Sequence, residues 1–316
     1  MSLLELKNVV KKFPVRRGAF SRAKEFVNAL NGISLSINEG EVVGLVGESG
    51  CGKSTLGRIV VGLEAPTTGE VLFDGQAINN DIRRHLQIIF QDPFSSLNPR
   101  MSAGDIVSEP LVIHKMCKKS ERFGRASELL AMVGLEPSCV HRYPHEFSGG
   151  QRQRIGIARA IALSPRFIVA DEPVSSLDVA VQAEILALLK DLQRRHRMTY
   201  LFISHDLRIV SSLCNKVAVM YLGKIVEMLP ARDIRLARHP YTVALLSAVP
   251  VANPSLRTRR VILGGDVPSP VNLPSGCPFH PRCQYKEDIC EKEMPVLEER
   301  GGHLVACYFS EKVRII

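Results

Sequence analysis

The sequence predicts an α/β protein: a mainly parallel, three-layered sheet core, interrupted by a helical insertion and followed by a loop-rich extension. Three observations predict it. A glycine-rich loop, Gly47 to Thr55, stands between an apolar run and a helical pattern. Short apolar runs then alternate with helical periodicities as far as about residue 230. Beyond that point nine of the 19 prolines fall between Pro240 and Pro295, and four of the eight cysteines gather between Cys277 and Cys307. The expected division is a core over 1–92 and 165–230, an insertion over 93–164 and an extension over 231–316.

The bulk numbers are those of an ordinary globular chain. At 316 residues, with 45% hydrophobic and 23% charged residues, there is material for a large core plus an appendage. The net charge is +9. Lysines and arginines are scattered, with no basic block interleaved with aromatics, so nucleic acid is not the expected partner. No apolar run approaches the roughly 18 residues of a membrane span. The N-terminal Met1 to Lys7 mixes acid and base at once, unlike a signal peptide. A cytoplasmic chain is the expectation, with any membrane association made through partners. In that compartment eight cysteines do not suggest a disulfide framework. Cys51, Cys117, Cys139 and Cys214 are scattered and read as packing residues.

In chain order, Leu3 to Val9, Gly32 to Ile37 and Glu41 to Val46 read as strands. Val15 to Lys24 is a polar, basic loop. Phe13 lies just before it, placed either to stack on a base or to cap the sheet. Gly69 to Phe73 is a strand that ends in the tight Asp74-Gly75 turn. Gln87 to Phe90 is another strand, running into the proline-punctuated Gln91 to Pro99. From Ala103 to Val140 the texture changes. Ala103 to Ile113 and Glu121 to Val133 carry helical apolar spacing with no convincing strand between them. Ser148 to Gln151 opens a further helix that Pro165 ends. Phe167 to Ala170 is a fully apolar strand. Val179 to His196 is an amphipathic helix with Ile185, Leu188, Leu189 and Leu192 on one stripe. Thr199 to Ser204 is a buried strand, and Lys216 to Tyr221 with Lys224 to Leu229 form a closing pair. In the extension only Tyr241 to Ala248 looks regular.

The opening loop fits G-x-x-x-x-G-K-[ST], whose glycines let backbone N–H groups wrap phosphate oxygens at a helix N-terminus. Gly47, Glu48, Ser49, Gly50, Cys51, Gly52, Lys53, Ser54 and Thr55 are the expected ATP-binding residues. Lys53 reaches the β- and γ-phosphates, and Ser54 holds Mg²⁺. An apolar strand that ends in Asp171-Glu172 is the natural second half of such a site. Asp171 is placed to hold Mg²⁺, and Glu172 to take a proton from the attacking water. Gln91 and His205 each follow a predicted buried strand. Parallel strands bring their carboxyl ends to one edge, so Gln91 can order Mg²⁺ or water and His205 can donate to the γ-phosphate. Ser148-Gly149-Gly150 is a second anion-binding design, small residues at a helix N-terminus. It serves the same phosphate within one chain, or the nucleotide of a facing second chain.

Taken in order, these segments resemble the six motifs of ABC-transporter ATPases. Gly47 to Thr55 resembles Walker A, and Gln91 the Q-loop. Phe147-Ser148-Gly149-Gly150-Gln151 resembles the signature, with Phe147 where the family has Leu. Val169 to Glu172 resembles Walker B, Ser176-Leu177-Asp178 the D-loop and His205 the H-loop. The likeness covers roughly residues 1–230 and implies a P-loop ABC ATPase core with a helical signature subdomain. It adds Asp178 and Gln151 to the nucleotide-binding residues, and gives Glu172, His205 and Gln91 the catalytic roles. It also implies a head-to-tail dimer, in which Ser148 and Gly150 serve the partner's ATP. Gln91 to Arg100, Arg142 to Ser148 and His239-Pro240-Tyr241-Thr242 further resemble the dipeptide/oligopeptide importer ATPases, the F-type subunit (DppF/OppF-like) above all. That resemblance implies import of di- or oligopeptides. Its partners are two integral membrane permeases, a second, D-type ATPase subunit, and, indirectly, an extracytoplasmic peptide-binding protein. It implies a peripheral position on the cytoplasmic face of the membrane, with Phe94 to Pro99 facing the permease.

Cys277-x5-Cys283-x6-Cys290-x16-Cys307 occupies the extension. Four thiolates can bind Zn²⁺ or a [4Fe–4S] cluster. The close C-x2-4-C pairs of structural zinc are absent, and the wide spacings suit a larger cluster better. The resembled importers carry such a cluster in this tail, with zinc as the alternative. Rival functions are a soluble ABC ATPase, a P-loop kinase, and the same importer with nickel or an oligosaccharide as cargo. The first lacks its usual second cassette here, and the second has no use for Ser148 to Gln151.

Overall fold

The computed structural model describes residues 2–15, 25–248 and 261–313. From position 16 to 24 the expected basic loop lies outside the described residues.

Ser2–Val15 (β1) and Glu25–Asn38 (β2) form a long antiparallel pair, longer at both strands than the apolar pattern suggests. Val42–Val46 (β3) and Lys53–Val60 (α1) follow. Thr68–Phe73 (β4) returns to pair with β1, and the Asp74-Gly75 turn leads into Gln76–Ala77 (β5). These four strands are a sheet of their own, in the order β2-β1-β4-β5. The expected single sheet is therefore two. The reason is visible in the burial: Leu4, Leu6 and Val9 of β1, with Leu30, Ile33, Leu35 and Ile37 of β2, face one core, while most of their neighbours, Leu3 apart, are half-buried or exposed. A sheet with one wet face needs no helices on both sides, so it stands as a separate antiparallel layer.

The main sheet is built from Leu86–Ile89 (β6), Phe167–Asp171 (β7), Thr199–Ile203 (β8), Lys216–Tyr221 (β9) and Lys224–Pro230 (β10), together with β3. Asn80–Arg83 (α2) precedes β6. β3, β7 and β8 are buried at every position, as parallel strands covered on both faces must be. β6, β7, β8, β3 and β9 run parallel, and β10 turns back antiparallel on β9. α1 lies between the two sheets, where Leu56, Ile59 and Val60 share a core with Leu4, Ile37, Val169 and Ile203. Each such aliphatic side chain, fully buried, contributes about 1.5–3 kcal/mol of transfer free energy.

On the other face sit the remaining helices. Pro93–Ser96 (α3), Ala103–Ile113 (α4), Arg122–Met132 (α5) and Gly149–Ile161 (α6) form the helical segment between β6 and β7. The Ser102 hydroxyl caps α4 by accepting from the Asp105 amide at 3.1 Å. Val179–His196 (α7) and Leu207–Leu213 (α8) complete the layer; α8 had no separate signature in the sequence. Ile106, Leu130, Ile155, Ile168 and Leu189 share the second core.

The extension is more regular than the proline count suggests. It holds Pro240–Ser247 (α9), Asp288–Lys292 (α10), Glu298–Arg300 (β11) and His303–Val305 (β12). β12 pairs with β10 through Glu227↔Val305 and Met228↔Leu304, so the main sheet runs β11-β12-β10-β9-β3-β8-β7-β6. Three-residue strands carry too little alternation to be read from sequence. Glu227, wholly buried, fixes the start of α9 by accepting from the amides of Arg238 at 2.6 Å and His239 at 3.2 Å. No helix among the described residues is long and apolar enough to cross a membrane.

Candidate functional site

β3 delivers the chain into the loop at Gly47, and α1 leaves it at Gly52. Gly52 has φ of 106°, a left-handed backbone natural only to glycine, and a Cβ there would meet the Ala29 carbonyl oxygen at 2.3 Å. At Gly47 a Cβ would meet the Met220 carbonyl oxygen at 2.2 Å. The loop is thus clamped between β2 and β9, and its backbone shape is set before any phosphate arrives. The first turn of α1 carries no acidic residue, leaving its exposed N–H groups open to an anion. Lys53 is buried at its base, and its Nζ donates to the carbonyls of Gly47 at 2.8 Å and Glu48 at 3.0 Å.

A cleft of about 560 Å³ opens in front of this loop. Ser49, Gly50, Gly52, Lys53, Ser54 and Thr55 form its floor, Gln91, Glu172 and His205 one side, and Phe13, Val27, Ala29 and Pro270 the other. The Ser54 hydroxyl donates to Oδ1 of Asp171 at 3.0 Å, which joins the two halves of the expected Mg²⁺ site. Burial pushes the Asp171 carboxyl above its ordinary value; the Ser54 hydrogen bond pulls it down and the charge of Glu172 adds to the rise. Such a carboxylate gains from a nearby cation. Ser54 and Asp171 therefore fit Mg²⁺, with Gln91 facing the same cleft.

Glu172 is held from three sides. Its amide donates to the Ile203 carbonyl at 3.0 Å, Gln91 Nε2 donates to its Oε2 at 3.1 Å, and His205 Nδ1 lies 3.3 Å from the same oxygen. Its φ is 45°, a conformation that costs a non-glycine residue on the order of 1–3 kcal/mol and persists only when the surroundings impose it. The strain turns the carboxylate toward the cleft instead of along the strand.

Other expected residues stand elsewhere. Gly47 and Cys51 make the buried wall of the loop, with Cys51 5% exposed. Glu48 turns away from the cleft toward the extension, where its carboxylate meets Arg282. Ser148 caps α6: its hydroxyl accepts from the Gln151 amide at 3.3 Å, and its own amide donates to Gln151 Oε1 at 3.0 Å. Asp178 caps α7 by accepting from the Val181 amide at 3.0 Å. Ser148, Gly149, Gly150, Gln151 and Asp178 do not line the cleft. Val27, Ala29 and Pro270 do, and no sequence motif pointed to them.

In the extension, Cys277, Cys283, Cys290 and Cys307 all line one tight cavity of about 10 Å³, beside Phe279, Tyr285 and Phe309. None of them is in a disulfide. The Tyr285 amide donates to the Cys283 sulfur at 3.4 Å. Burial pushes the Cys277 thiol up to about 11 and the Cys307 thiol up to about 12. Among the described residues, no three or more His, Cys, Asp or Glu side chains are drawn together so as to hold a metal ion. The four sulfurs share a cavity without closing into a single-ion site.

Comparison with known proteins gives the family. Residues 30–175 match the family model described as ABC transporter, and residues 226–290 match the one described as oligopeptide/dipeptide transporter, C-terminal region. The chain is 49% identical to the oligopeptide transport ATP-binding protein AppF of Bacillus subtilis, over 97% of each chain. It is 46% identical to the dipeptide transport ATP-binding protein DppF of Escherichia coli, over 97% of this chain and 94% of that one. Among solved structures it resembles the ADP- and phosphate-bound dimer of the ATP-binding cassette MJ0796, with a TM-score of 0.64 and 33% identity over 72% of this chain and 99% of that one. It also resembles CbiO1 of Clostridium perfringens, with a TM-score of 0.62 and 27% identity over 77% and 93% of the two chains. The chain belongs to the ABC transporter family, as an ATP-binding, ATP-hydrolysing subunit of the oligopeptide/dipeptide transporter branch.

Proposed function

We propose that this chain hydrolyses ATP to drive the import of di- or oligopeptides, and that its catalytic centre is the Glu172 carboxylate between Gln91 and His205. The observation that carries this reading is the convergence of those two side chains on one Glu172 oxygen, beside the Ser54–Asp171 pair. The phosphates of ATP lie on the amides from Gly50 to Thr55, with Lys53 on the β- and γ-phosphates. Phe13 and Val27 flank the base end of the cleft. Mg²⁺ would be held by Ser54 and Asp171 with Gln91, and would supply charge neutralisation to the phosphates. Glu172 accepts the proton of the attacking water, and His205 orients that carboxylate and reaches the γ-phosphate.

Ser148, Gly149, Gly150, Gln151 and Asp178 stand apart from the cleft of their own chain. They act on the nucleotide of a facing ATPase subunit, a D-type homologue, so that two ATP molecules close the dimer. Residues 1–92 and 165–230 are the ATPase core, 93–164 the signature subdomain and 231–316 the extension. Phe94 is 61% exposed with the Arg152 guanidinium 4.0 Å from its ring centre. This side of the helical segment meets one of two membrane permeases, which puts the chain on the cytoplasmic face of the membrane. An extracytoplasmic binding protein delivers the peptide, and no nucleic acid takes part. The four cysteines hold a [4Fe–4S] cluster that braces the extension, zinc being the alternative; what supports this reading is that all four are free thiols lining one cavity.

The test is peptide uptake by cells lacking this chain. Restoring it is expected to restore growth on a dipeptide as the supply of a required amino acid, and Lys53→Ala is expected to restore nothing. Restoration of nickel or oligosaccharide uptake with no peptide effect would overturn the cargo.

A further inference from the structure

The extension reaches the phosphate loop at one residue, Glu48, and holds it twice. Arg282 donates from Nη1 to Oε2 at 2.8 Å and from Nη2 to Oε1 at 3.1 Å, a two-pronged pair. The Glu48 amide donates to the Tyr241 hydroxyl at 2.7 Å. Exposed ion pairs contribute little, but here the Arg282 side chain is only 8% exposed and its planar fork fixes the carboxylate in both position and angle. Tyr241 is fully buried, 4.7 Å between ring centres from Tyr221 and 5.5 Å from Phe279. Neither anchor can shift without disturbing that cluster.

Both anchors lead into the cysteine cavity. Arg282 immediately precedes Cys283, in the helical turn His280–Arg282. Phe279 lies two residues after Cys277 and lines the cavity itself. On the other side, the carbonyl of Glu48 accepts from Lys53 Nζ at 3.0 Å. One residue therefore has its side chain and amide held by the extension and its carbonyl on the lysine that reaches the phosphates.

We propose that Arg282 and Tyr241 are positioning residues for the phosphate loop, and that through Glu48 they couple the cysteine cavity energetically to the nucleotide cleft. Coupling of this kind is reciprocal: whatever loosens the turn around Cys283 weakens ATP binding, and bound ATP tightens that turn by the same factor. The inference rests on the loop holding the phosphates of ATP and not on what the cysteines bind.

The test uses the full chain and a fluorescent ATP analogue with Mg²⁺, in wild type, Glu48→Gln, Arg282→Met and the double variant. Each single change is expected to weaken binding by roughly five- to fiftyfold, and the double change no further than the worse single one. KM for ATP should rise with little change in kcat. Arg282→Lys keeps the charge but not the fork, and should recover only part of the affinity; it also carries the test if Arg282→Met does not fold. In a second arm, amide hydrogen exchange across the segment from Cys277 to Cys290 is followed by mass spectrometry. ATP should slow it in wild type and leave it unchanged in Arg282→Lys. Wild-type ATP affinity in both Arg282 variants, full additivity of the two single changes, or exchange indifferent to ATP in the wild type would each overturn the coupling. A wild-type chain that bound no ATP would overturn the nucleotide reading as well.

Discussion

His205 Nδ1 lies 3.3 Å from Oε2 of Glu172, the same oxygen that accepts from Gln91. The two side chains come from the ends of different parallel strands, β8 and β6, and meet because the strand β7 between them ends in a strained residue. Glu172→Gln keeps the size of the side chain and removes its basicity. Hydrolysis is expected to fall roughly a hundred- to ten-thousandfold with ATP binding retained. Steady-state phosphate release and nucleotide affinity, measured side by side, check it; near-normal turnover would remove Glu172 as the base.

Ser148→Arg places a long cation at the exposed start of α6, away from the cleft of its own chain. ATP binding at Lys53 is expected to be unchanged and hydrolysis to drop roughly a hundredfold, since closure over the facing nucleotide is blocked. Size-exclusion chromatography with ATP and the facing D-type subunit should lose the heterodimer that Glu172→Gln is expected to accumulate. A collapse of ATP affinity would show that one chain makes the whole site.

Glu227 gives the extension a pH dependence. Burial raises its carboxyl above the ordinary value, so the folded chain keeps this proton to a higher pH than the unfolded chain does. The stability it contributes is complete below the ordinary carboxylate range and is lost as pH rises through the raised folded value. Unfolding free energy should fall across that window, by at most about 1.4 kcal/mol per pH unit, relative to Glu227→Gln. Denaturant titrations of both proteins between acid and neutral pH read the difference in slope. Equal slopes would sink the assignment.

The cysteine cavity has a compositional test. Chain purified without oxygen is expected to carry iron and inorganic sulfide in equal amounts and to absorb broadly in the visible. Cys290→Ala, at the buried position, should lose both. Stoichiometric zinc without iron would replace the cluster by the alternative.

The helices α4 and α7 could be read from the sequence to the residue, because each has a long apolar stripe and a side-chain cap, Ser102 and Asp178. The parallel strands were equally legible, since burial on both faces leaves unbroken apolar runs. The residues proposed for the nucleotide were legible as motifs, because phosphate binding constrains backbone and side chain together. The separate antiparallel sheet was not, as alternation in β1 and β2 says which face is wet but not which sheet a strand joins. Pro270 in the cleft wall and Arg282 on Glu48 were also invisible: each acts through a contact spanning more than two hundred positions of chain.

One edge of the main sheet ends at Glu298–Arg300. A parallel core of long apolar strands would otherwise end there in a row of unpaired amides and carbonyls, a template on which a second chain could add. The extension instead covers β10 with β12 and finishes in three residues, Glu298, Glu299 and Arg300, two of them acidic and one basic. So short and charged a border offers an incoming strand almost nothing to pair with. The segment that holds Glu48 thus also guards the chain against self-association through its sheet, and truncating it before β12 would expose that edge to aggregation.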